Sequence, residues 1–214
     1  MTRTVVMFTG LERLWHWSQA LLIILLLLTG FEVHGSYSLL GFGTAATLHV
    51  LAALALIVVW IFAVFWHLAT GEWRQYAPTT RGLAAVVRFY LYGMFRGESH
   101  PFNPRPKRKH NPLQAASYLL FGVVISPLLW ITGLLYLGID LWLAPAGLPL
   151  APVALIHVAA AYGAALFLLV HVYMITTGRT PTTHLKTMIT GREESDEAAR
   201  QPSQAVPSQA RRGL

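Results

Sequence analysis

The sequence predicts an all-α integral membrane protein, a four-helix bundle with both termini in the cytoplasm. The 214 residues are 55% hydrophobic and only 12% charged, with a mean hydropathy of +0.51, whereas globular proteins average about 25% charged residues. Four apolar runs each reach the roughly 20 residues that cross a bilayer. All 16 Lys and Arg residues fall outside the interiors of these runs, in the segments 3–13, 74–109 and 179–212.

The basic residues indicate topology and not a nucleic-acid partner. By the positive-inside rule, segments that carry them lie in the cytoplasm, where they also attract anionic lipid. The net charge of +7 follows from this distribution. The chain has no cysteine, which excludes disulfides, cysteine-ligated iron–sulfur clusters and covalent haem attachment. Metal chemistry in this chain must therefore use histidine.

Taken in order, the spans are expected at residues 11–33, 44–69, 113–138 and 150–177. Trp15 and Trp17 lie where an aromatic belt belongs at the inner end of the first span. Pro127 is expected to kink the third span. These spans form one domain, residues 1–192, and the polar segment 193–214 is predicted to be a disordered cytoplasmic tail.

Between the second and third spans, the long inner segment contains a further helix. Residues at i, i+3 and i+4 spacing form an apolar stripe, with arginines between them: Leu83, Val86, Val87, Tyr90, Leu91 and Met94. This periodicity predicts an amphipathic interfacial helix on the cytoplasmic surface.

Two histidines inside the fourth span are the first candidate site residues. His157 and His171 are 14 positions apart, which places them within about 40° of each other around a helix and about 21 Å apart along it. Because an imidazole in hydrocarbon is costly, each histidine indicates a site with a partner on another helix. Histidines at two depths on one face of this helix therefore predict two sites, one above the other in the membrane.

The predicted topology supplies a partner at each depth. His16 lies near the inner end of the first span, level with His171, and His49 lies near the outer end of the second span, level with His157. The sequence thus predicts the pairs His16 with His171 and His49 with His157. His67, at the inner end of the second span, is a reserve partner for His171.

Facing neutral imidazoles are the ligand set of bis-histidine haem, and two stacked haems form an electron path across a bilayer. Small residues between Ala159 and Ala165 leave room beside the fourth helix, although close helix packing explains them equally well. Arg13, one turn from His16, is a candidate partner for a haem propionate, and an arginine that only sets topology fits the same position.

Other functions remain open at this point. Intramembrane histidines also occur in transporters or channels that relay protons or bind a metal ion, but proton relays usually employ carboxylates, which are nearly absent from these spans. A cytochrome b that reduces a small acceptor by itself is a further alternative. A structural anchor with incidental histidines fits four histidines at matched depths poorly.

Seven segments resemble the cytochrome b subunit of respiratory formate dehydrogenases, of membrane-bound nickel–iron hydrogenases and of thiosulfate reductases. The segments span nearly the whole chain: RLWHW (13–17), ATLHVLAALALI (46–57), RGESH (96–100), HNPLQ (110–114), ITGLLY (131–136), ALIHVAAAYGAALFLLVHVYM (154–174) and LKTMITG (185–191). The two histidines of the last helix are the most specific element, and HNPLQ with ITG is most similar to the thiosulfate reductase branch.

In that family, two b-type haems are held by one histidine of the first helix, one of the second and two of the fourth. The resemblance implies the same axial ligands as above: His16, His49, His157 and His171. It also implies a quinone site near the inner haem, for menaquinone or ubiquinone, at Asn111 with Gln114 close by. The family has a glycine where this chain has Pro112, and a turn or helix cap would equally account for Asn111.

The resulting prediction is a membrane-anchoring, di-haem cytochrome b subunit of a respiratory oxidoreductase complex in the bacterial inner membrane. It would pass electrons between the quinone pool and a partner at the outer face. The resemblance implies partner subunits with iron–sulfur, molybdopterin or nickel–iron centres, which perform the substrate chemistry. No catalytic residue is assigned to this chain, and no nucleic acid is expected to bind it.

Overall fold

The computed structural model describes residues 2–102, 104, 108–178 and 180–196. In chain order, its main elements are β1 (Thr2–Val6), α1 (Gly10–Val33), α2 (Phe42–Thr70), α3 (Leu83–Arg88), α4 (Pro112–Leu120), α5 (Ser126–Leu137), α6 (Leu150–Ile175), α7 (Thr183–Thr190) and β2 (Arg192–Asp196). Four helices are long and apolar enough to cross a membrane: α1, α2, the continuous unit α4–α5 and α6. The predicted all-α membrane bundle is confirmed, while the side on which the termini lie stays a prediction.

The spans begin and end within two residues of the predicted positions. Helix α1 begins at a capping box in which Thr9 accepts from the Glu12 backbone N–H and the Glu12 side chain accepts from the Thr9 N–H, so two free donors of the first turn are satisfied. Helix α2 ends at Gly71, whose φ of 75° is a left-handed conformation that terminates helices. Local capping therefore sets both limits.

The third span contains a π turn at Phe121–Ile125, directly before Ser126 and Pro127, where the sequence predicts a kink. Proline cannot donate to the carbonyl one turn earlier, and a π turn allows the chain to pass it without leaving the helix. The Trp60 indole of α2 donates to the Gly122 carbonyl inside this turn at 3.3 Å. A neighbouring helix thus satisfies a carbonyl that lipid could not.

Helix α3 continues through a π turn at Phe89–Gly93 and a 3₁₀ turn at Met94–Arg96. It packs against the end of α6, where Val86, Phe89 and Tyr90 form a buried cluster with Met174. Leu91 was expected on the apolar stripe, but it is 60% exposed. The buried positions Val86, Phe89, Tyr90 and Gly93 are spaced i, i+3, i+4 and i+7, so the buried face lies to one side of the predicted stripe and Leu91 falls outside it.

At one end of the bundle, α1 and α4 begin and α2 and α6 terminate. We call this end the basic end. Here β1 pairs antiparallel with β2, with Thr2 opposite Asp196 and Val6 opposite Arg192. Residues 193–196, expected to open a disordered tail, therefore belong to a strand, because backbone ladder bonds form regardless of side-chain polarity. Residues 197–214 of the predicted tail lie outside the described residues.

At the opposite end, the loop between α1 and α2 closes around one carboxylate. Glu32 Oε1 accepts from the backbone N–H groups of Leu39, Leu40 and Gly41 at 2.8, 2.6 and 2.8 Å. Three such bonds satisfy a charge near the membrane and fix the short loop. This end carries Glu32 and Asp140 and none of the chain's Lys or Arg residues in its two loops, 34–41 and 138–149.

Candidate functional site

Four histidines meet in two facing pairs between the helices. At the basic end, His16 of α1 faces His171 of α6 with ring centroids 6.2 Å apart. At the opposite end, His49 of α2 faces His157 of α6 with centroids 6.3 Å apart. We call these the basic-end pair and the opposite-end pair. They are the two pairs expected from depth along the helices.

The spacing of both pairs suits a shared metal ion. Two imidazoles that each ligate one ion at a metal–nitrogen distance of about 2.0 Å have their ring centroids about 6 Å apart. In the part of the chain that the structure describes, no three His, Asp or Glu side chains gather at one point. Each pair thus offers two nitrogen donors, which is the number that fills the axial positions of haem iron.

The opposite-end pair is held by two threonines that the sequence analysis did not single out. Thr29 Oγ1 of α1 lies 3.0 Å from His49 Nδ1, and Thr132 Oγ1 of α5 lies 2.8 Å from His157 Nδ1. Both threonines are buried, at 1% and 5% exposure. The sequence contains a signal for these two threonines: a Thr-Gly dipeptide lies at the depth of each histidine, Thr29–Gly30 beside His49 and Thr132–Gly133 beside His157.

The basic-end pair is surrounded by aromatic rings. His171 stacks on Phe167 at 5.9 Å and contacts Tyr118 at 6.0 Å, and His16 contacts the Trp17 ring at 5.2 Å. His16 Nδ1 is buried and has no hydrogen-bond partner among the described residues. This ring nitrogen is thus left without a partner from the protein, unlike Nδ1 of His49 and Nδ1 of His157.

His67 occupies a different position from the basic-end pair. Its Nδ1 lies 2.6 Å from the Ala63 carbonyl within α2, and its ring contacts Trp15 at 5.1 Å and Tyr76 at 5.2 Å. The ring contacts of His171 among the described residues are with His16, Phe167 and Tyr118. The structure therefore places His16, and not the reserve candidate His67, next to His171.

Arg13 joins the first turn of α1 to the end of α7 at the basic end. Its Nη1 donates to the Ile189 carbonyl at the end of α7 at 2.5 Å, while its Nε is buried and has no partner among the described residues. The guanidinium thus stabilises the contact of α7 with α1 and keeps one free donor. A bond from Arg13 to a haem propionate stays a prediction.

Asn111 and Gln114 form the capping box of α4. The Asn111 side chain accepts from the Gln114 backbone N–H at 2.9 Å, and Gln114 Oε1 accepts from the Asn111 N–H at 3.0 Å. The Asn111 amide also donates to the Tyr90 hydroxyl at 3.1 Å. The helix cap considered from the sequence is therefore present, and contact of either residue with quinone stays a prediction.

A cavity of about 210 Å³ lies beside the start of α4, lined in part by Arg74, Arg108 and His110. Burial lowers the pKa of His110 to about 4, and the nearby positive charge of Lys109 acts in the same direction. The His110 ring contacts Tyr118 at 5.0 Å, and Tyr118 in turn contacts His171. A continuous series of rings thus joins the cavity to the basic-end pair.

Four membrane-length helices that bring histidines together in facing pairs are the arrangement expected of a membrane cytochrome b. Residues 7–191 match the family described as prokaryotic cytochrome b561, and the chain belongs to that family. It is also 32% identical over 204 residues to the putative cytochrome YdhU of Escherichia coli (strain K12), with 87% of this chain and 74% of that protein covered.

The protein is therefore a multi-pass membrane cytochrome b that carries haem b and takes part in electron transfer. This confirms the class of protein that the resemblance implied.

Proposed function

We propose that this protein is a di-haem cytochrome b that carries electrons across the bacterial inner membrane. His16 and His171 would ligate one haem, and His49 and His157 the other. The observation that carries the proposal is the spacing of the two ring pairs, 6.2 and 6.3 Å. When bound, each haem supplies a one-electron iron centre, whose ligands, orientation and surroundings come from this chain.

The distance between the two pairs supports a path across the membrane. His157 and His171 lie on the continuous helix α6, and 14 residues of α-helix separate them by about 21 Å along the axis. The basic end is the cytoplasmic end by the positive-inside rule. The basic-end pair therefore lies near the cytoplasm, and the opposite-end pair lies near the outer face.

Quinone chemistry belongs at the basic end in this proposal. The cavity beside α4 offers polar lining residues, including His110, and it lies at the end of the bundle that the positive-inside rule assigns to the cytoplasmic interface. Tyr118 contacts both His110 and the proposed haem ligand His171. Menaquinone or ubiquinone bound here would exchange electrons with the basic-end haem, with Asn111 and Gln114 holding the start of α4 beside it.

A partner subunit would dock at the opposite end. The Glu32 carboxylate fixes the loop between α1 and α2, which gives a partner a rigid surface near the opposite-end pair. A partner with an iron–sulfur, molybdopterin or nickel–iron centre would exchange electrons with the nearer haem. In this arrangement the protein is the membrane anchor of a respiratory oxidoreductase complex, and the substrate reaction occurs in the partner.

The test is the haem content of the purified protein, from oxidised and dithionite-reduced spectra with a pyridine haemochrome assay. We expect about two haems b per chain, the number that two bis-histidine sites hold. His49→Ala should remove one haem and His16→Ala the other, because each site loses one axial ligand. His67→Ala is the control and should keep both.

A colourless protein from haem-replete cells would overturn the proposal and leave proton or metal-ion transport to be tested. Two haems in His16→Ala together with haem loss in His67→Ala would transfer the ligand role to His67.

A further inference from the structure

The two hydrogen bonds to the opposite-end pair repeat one local arrangement on two sides of the same site. Thr29 and Gly30 of α1 lie against His49 of α2, and Thr132 and Gly133 of α5 lie against His157 of α6. Each histidine is thus contacted by a Thr-Gly dipeptide on the helix adjacent to it along the chain.

The hydroxyl groups determine which ring nitrogen carries the proton. Thr29 Oγ1 donates to the Leu25 carbonyl at 2.7 Å, and Thr132 Oγ1 donates to the Leu128 carbonyl at 2.5 Å. A hydroxyl has one proton. Since each proton is used within its own helix, the hydroxyl oxygen can only accept from the imidazole, and Nδ1 of each histidine must be the donor.

The glycines allow this contact to form. A Cβ at Gly30 would lie 3.0 Å from His49 Cε1, and one at Gly133 would lie 3.4 Å from His157 Cε1. A side chain at either position would push the imidazole away from its threonine. Each dipeptide therefore acts as a unit, in which the glycine leaves room for the imidazole ring and the threonine hydroxyl accepts a hydrogen bond from it.

We propose that Thr29 and Thr132 are positioning residues for the opposite-end haem. Each fixes its histidine with the proton on Nδ1 and the lone pair on Nε2 as the nitrogen for iron. A hydrogen bond from the far nitrogen also makes an imidazole a stronger donor, which stabilises the oxidised iron and lowers the reduction potential. The inference rests on the proposed haem ligands.

The basic-end pair differs in this respect. His16 Nδ1 has no hydrogen-bond partner within the described residues, so no threonine fixes the proton of this ring. The effect should therefore be confined to one haem, and the other haem serves as a reference within the same molecule.

The experiment compares full-length Thr29→Val, Thr132→Val and the double variant with the unaltered protein. Valine keeps the shape of threonine and removes the hydroxyl, which is both the acceptor for the imidazole and a donor to the carbonyl one turn earlier. We expect the potential of the opposite-end haem to rise in each single variant and further in the double variant, measured by optical redox titration. That haem is identified beforehand as the one lost in His49→Ala. The potential of the basic-end haem should stay the same.

Two further variants separate this effect from a general loss of structure. Thr47→Val removes a hydroxyl of α2 that donates to the Gly43 carbonyl at 2.9 Å but belongs to neither Thr-Gly dipeptide, and it should leave both potentials unchanged. Thr29→Ser restores the acceptor and should restore the original potential. Loss of the opposite-end haem in Thr29→Val with recovery in Thr29→Ser would also support the proposal.

An unchanged potential of the opposite-end haem in the double variant, with both haems bound, would overturn this inference while leaving the ligand assignment intact. Haem loss that Thr29→Ser does not restore would overturn it as well. Failure of the proposed function would appear earlier and separately, as fewer than two haems in the unaltered protein.

Discussion

Lys109 Nζ lies 2.5 Å from Glu12 Oε1, in an ion pair whose side chains are only 9% and 20% exposed. It joins the segment before α4 to the first turn of α1, 97 residues earlier. The Lys109 ammonium also lies 5.3 Å from the centre of the Phe8 ring. Because Glu12 lies one turn from His16, this pair fixes the part of α1 that presents the basic-end histidine.

Removing the negative partner should therefore be costly. In Glu12→Gln the buried Lys109 charge is left unpaired, and we expect the free energy of unfolding to fall by about 3 kcal/mol. The thermal unfolding midpoint in detergent measures this. Glu98→Gln is the matched control: its pair with Arg88 is 2.6 Å long but 38% and 65% exposed, so the loss should stay below about 1 kcal/mol. Equal losses in the two variants would contradict the prediction.

The Thr-Gly dipeptides predict a graded response to added methyl groups. Gly30→Ala brings a Cβ to 3.0 Å from His49 Cε1, so the ring must move. We expect the haem proposed at the opposite-end pair to bind on the order of tenfold more weakly. Gly133→Ala, at 3.4 Å from His157, should have a smaller effect. Gly122→Ala is the control, since its Cβ would meet no other atom within 4 Å. Haem titration of the apoprotein measures all three, and equal affinities would refute the argument.

Asn111 can be tested for its two roles separately. Asn111→Ala removes the cap of α4 and should lower the free energy of unfolding by about 1 kcal/mol. Asn111→Ser keeps a capping oxygen, so we expect near-normal stability and near-normal reduction of haem by a quinol analogue. Loss of that reduction in Asn111→Ser, with stability retained, would instead indicate that the Asn111 amide contacts the quinone.

His110 makes stability depend on pH. Its pKa of about 4 in the folded protein lies below the ordinary value of about 6.5 in the unfolded chain. The unfolded state therefore binds the extra proton first, and this contribution to stability is complete above pH 6.5 and is lost as the pH falls towards 4, by about 1 kcal/mol per pH unit. His110→Phe should make the dependence of unfolding on pH shallower in this range, while His100 and His184, whose pKa values burial also lowers, retain part of it. His34→Gln, at an exposed loop position, should retain it, and the same slope in all three proteins would contradict the assignment.

Features that follow from the length of the apolar runs, and from the position of a residue along its span, could be predicted from the sequence. The four spans follow from apolar runs, and the meeting of His16 with His171 and of His49 with His157 follows from where each histidine lies within its span. A turn or helix cap at Asn111 was the alternative to a quinone contact, because asparagine is a common capping residue at the start of a helix.

Features that depend on contacts between distant residues could not be predicted. The pairing of Thr2 with Asp196 joins the two ends of the described chain, and the polar composition of residues 193–196 indicated disorder instead. Thr29 and Thr132 were missed because a threonine inside an apolar helix usually bonds to its own backbone. Only the structure places a histidine of the next helix within reach of the same hydroxyl.

The ribbon of β1 and β2 has a consequence for the order in which the protein matures during synthesis. The loop around Glu32 is complete once residue 41 has been made, but β1 must wait until residues 192–196 emerge. The contacts of Arg13 with Ile189 and of Trp17 with Met188 likewise cannot form until the C-terminal partner of each has been synthesised. As chains fold from the N-terminus during translation, the opposite end closes early, and the basic end stays open until almost the last described residue has left the ribosome.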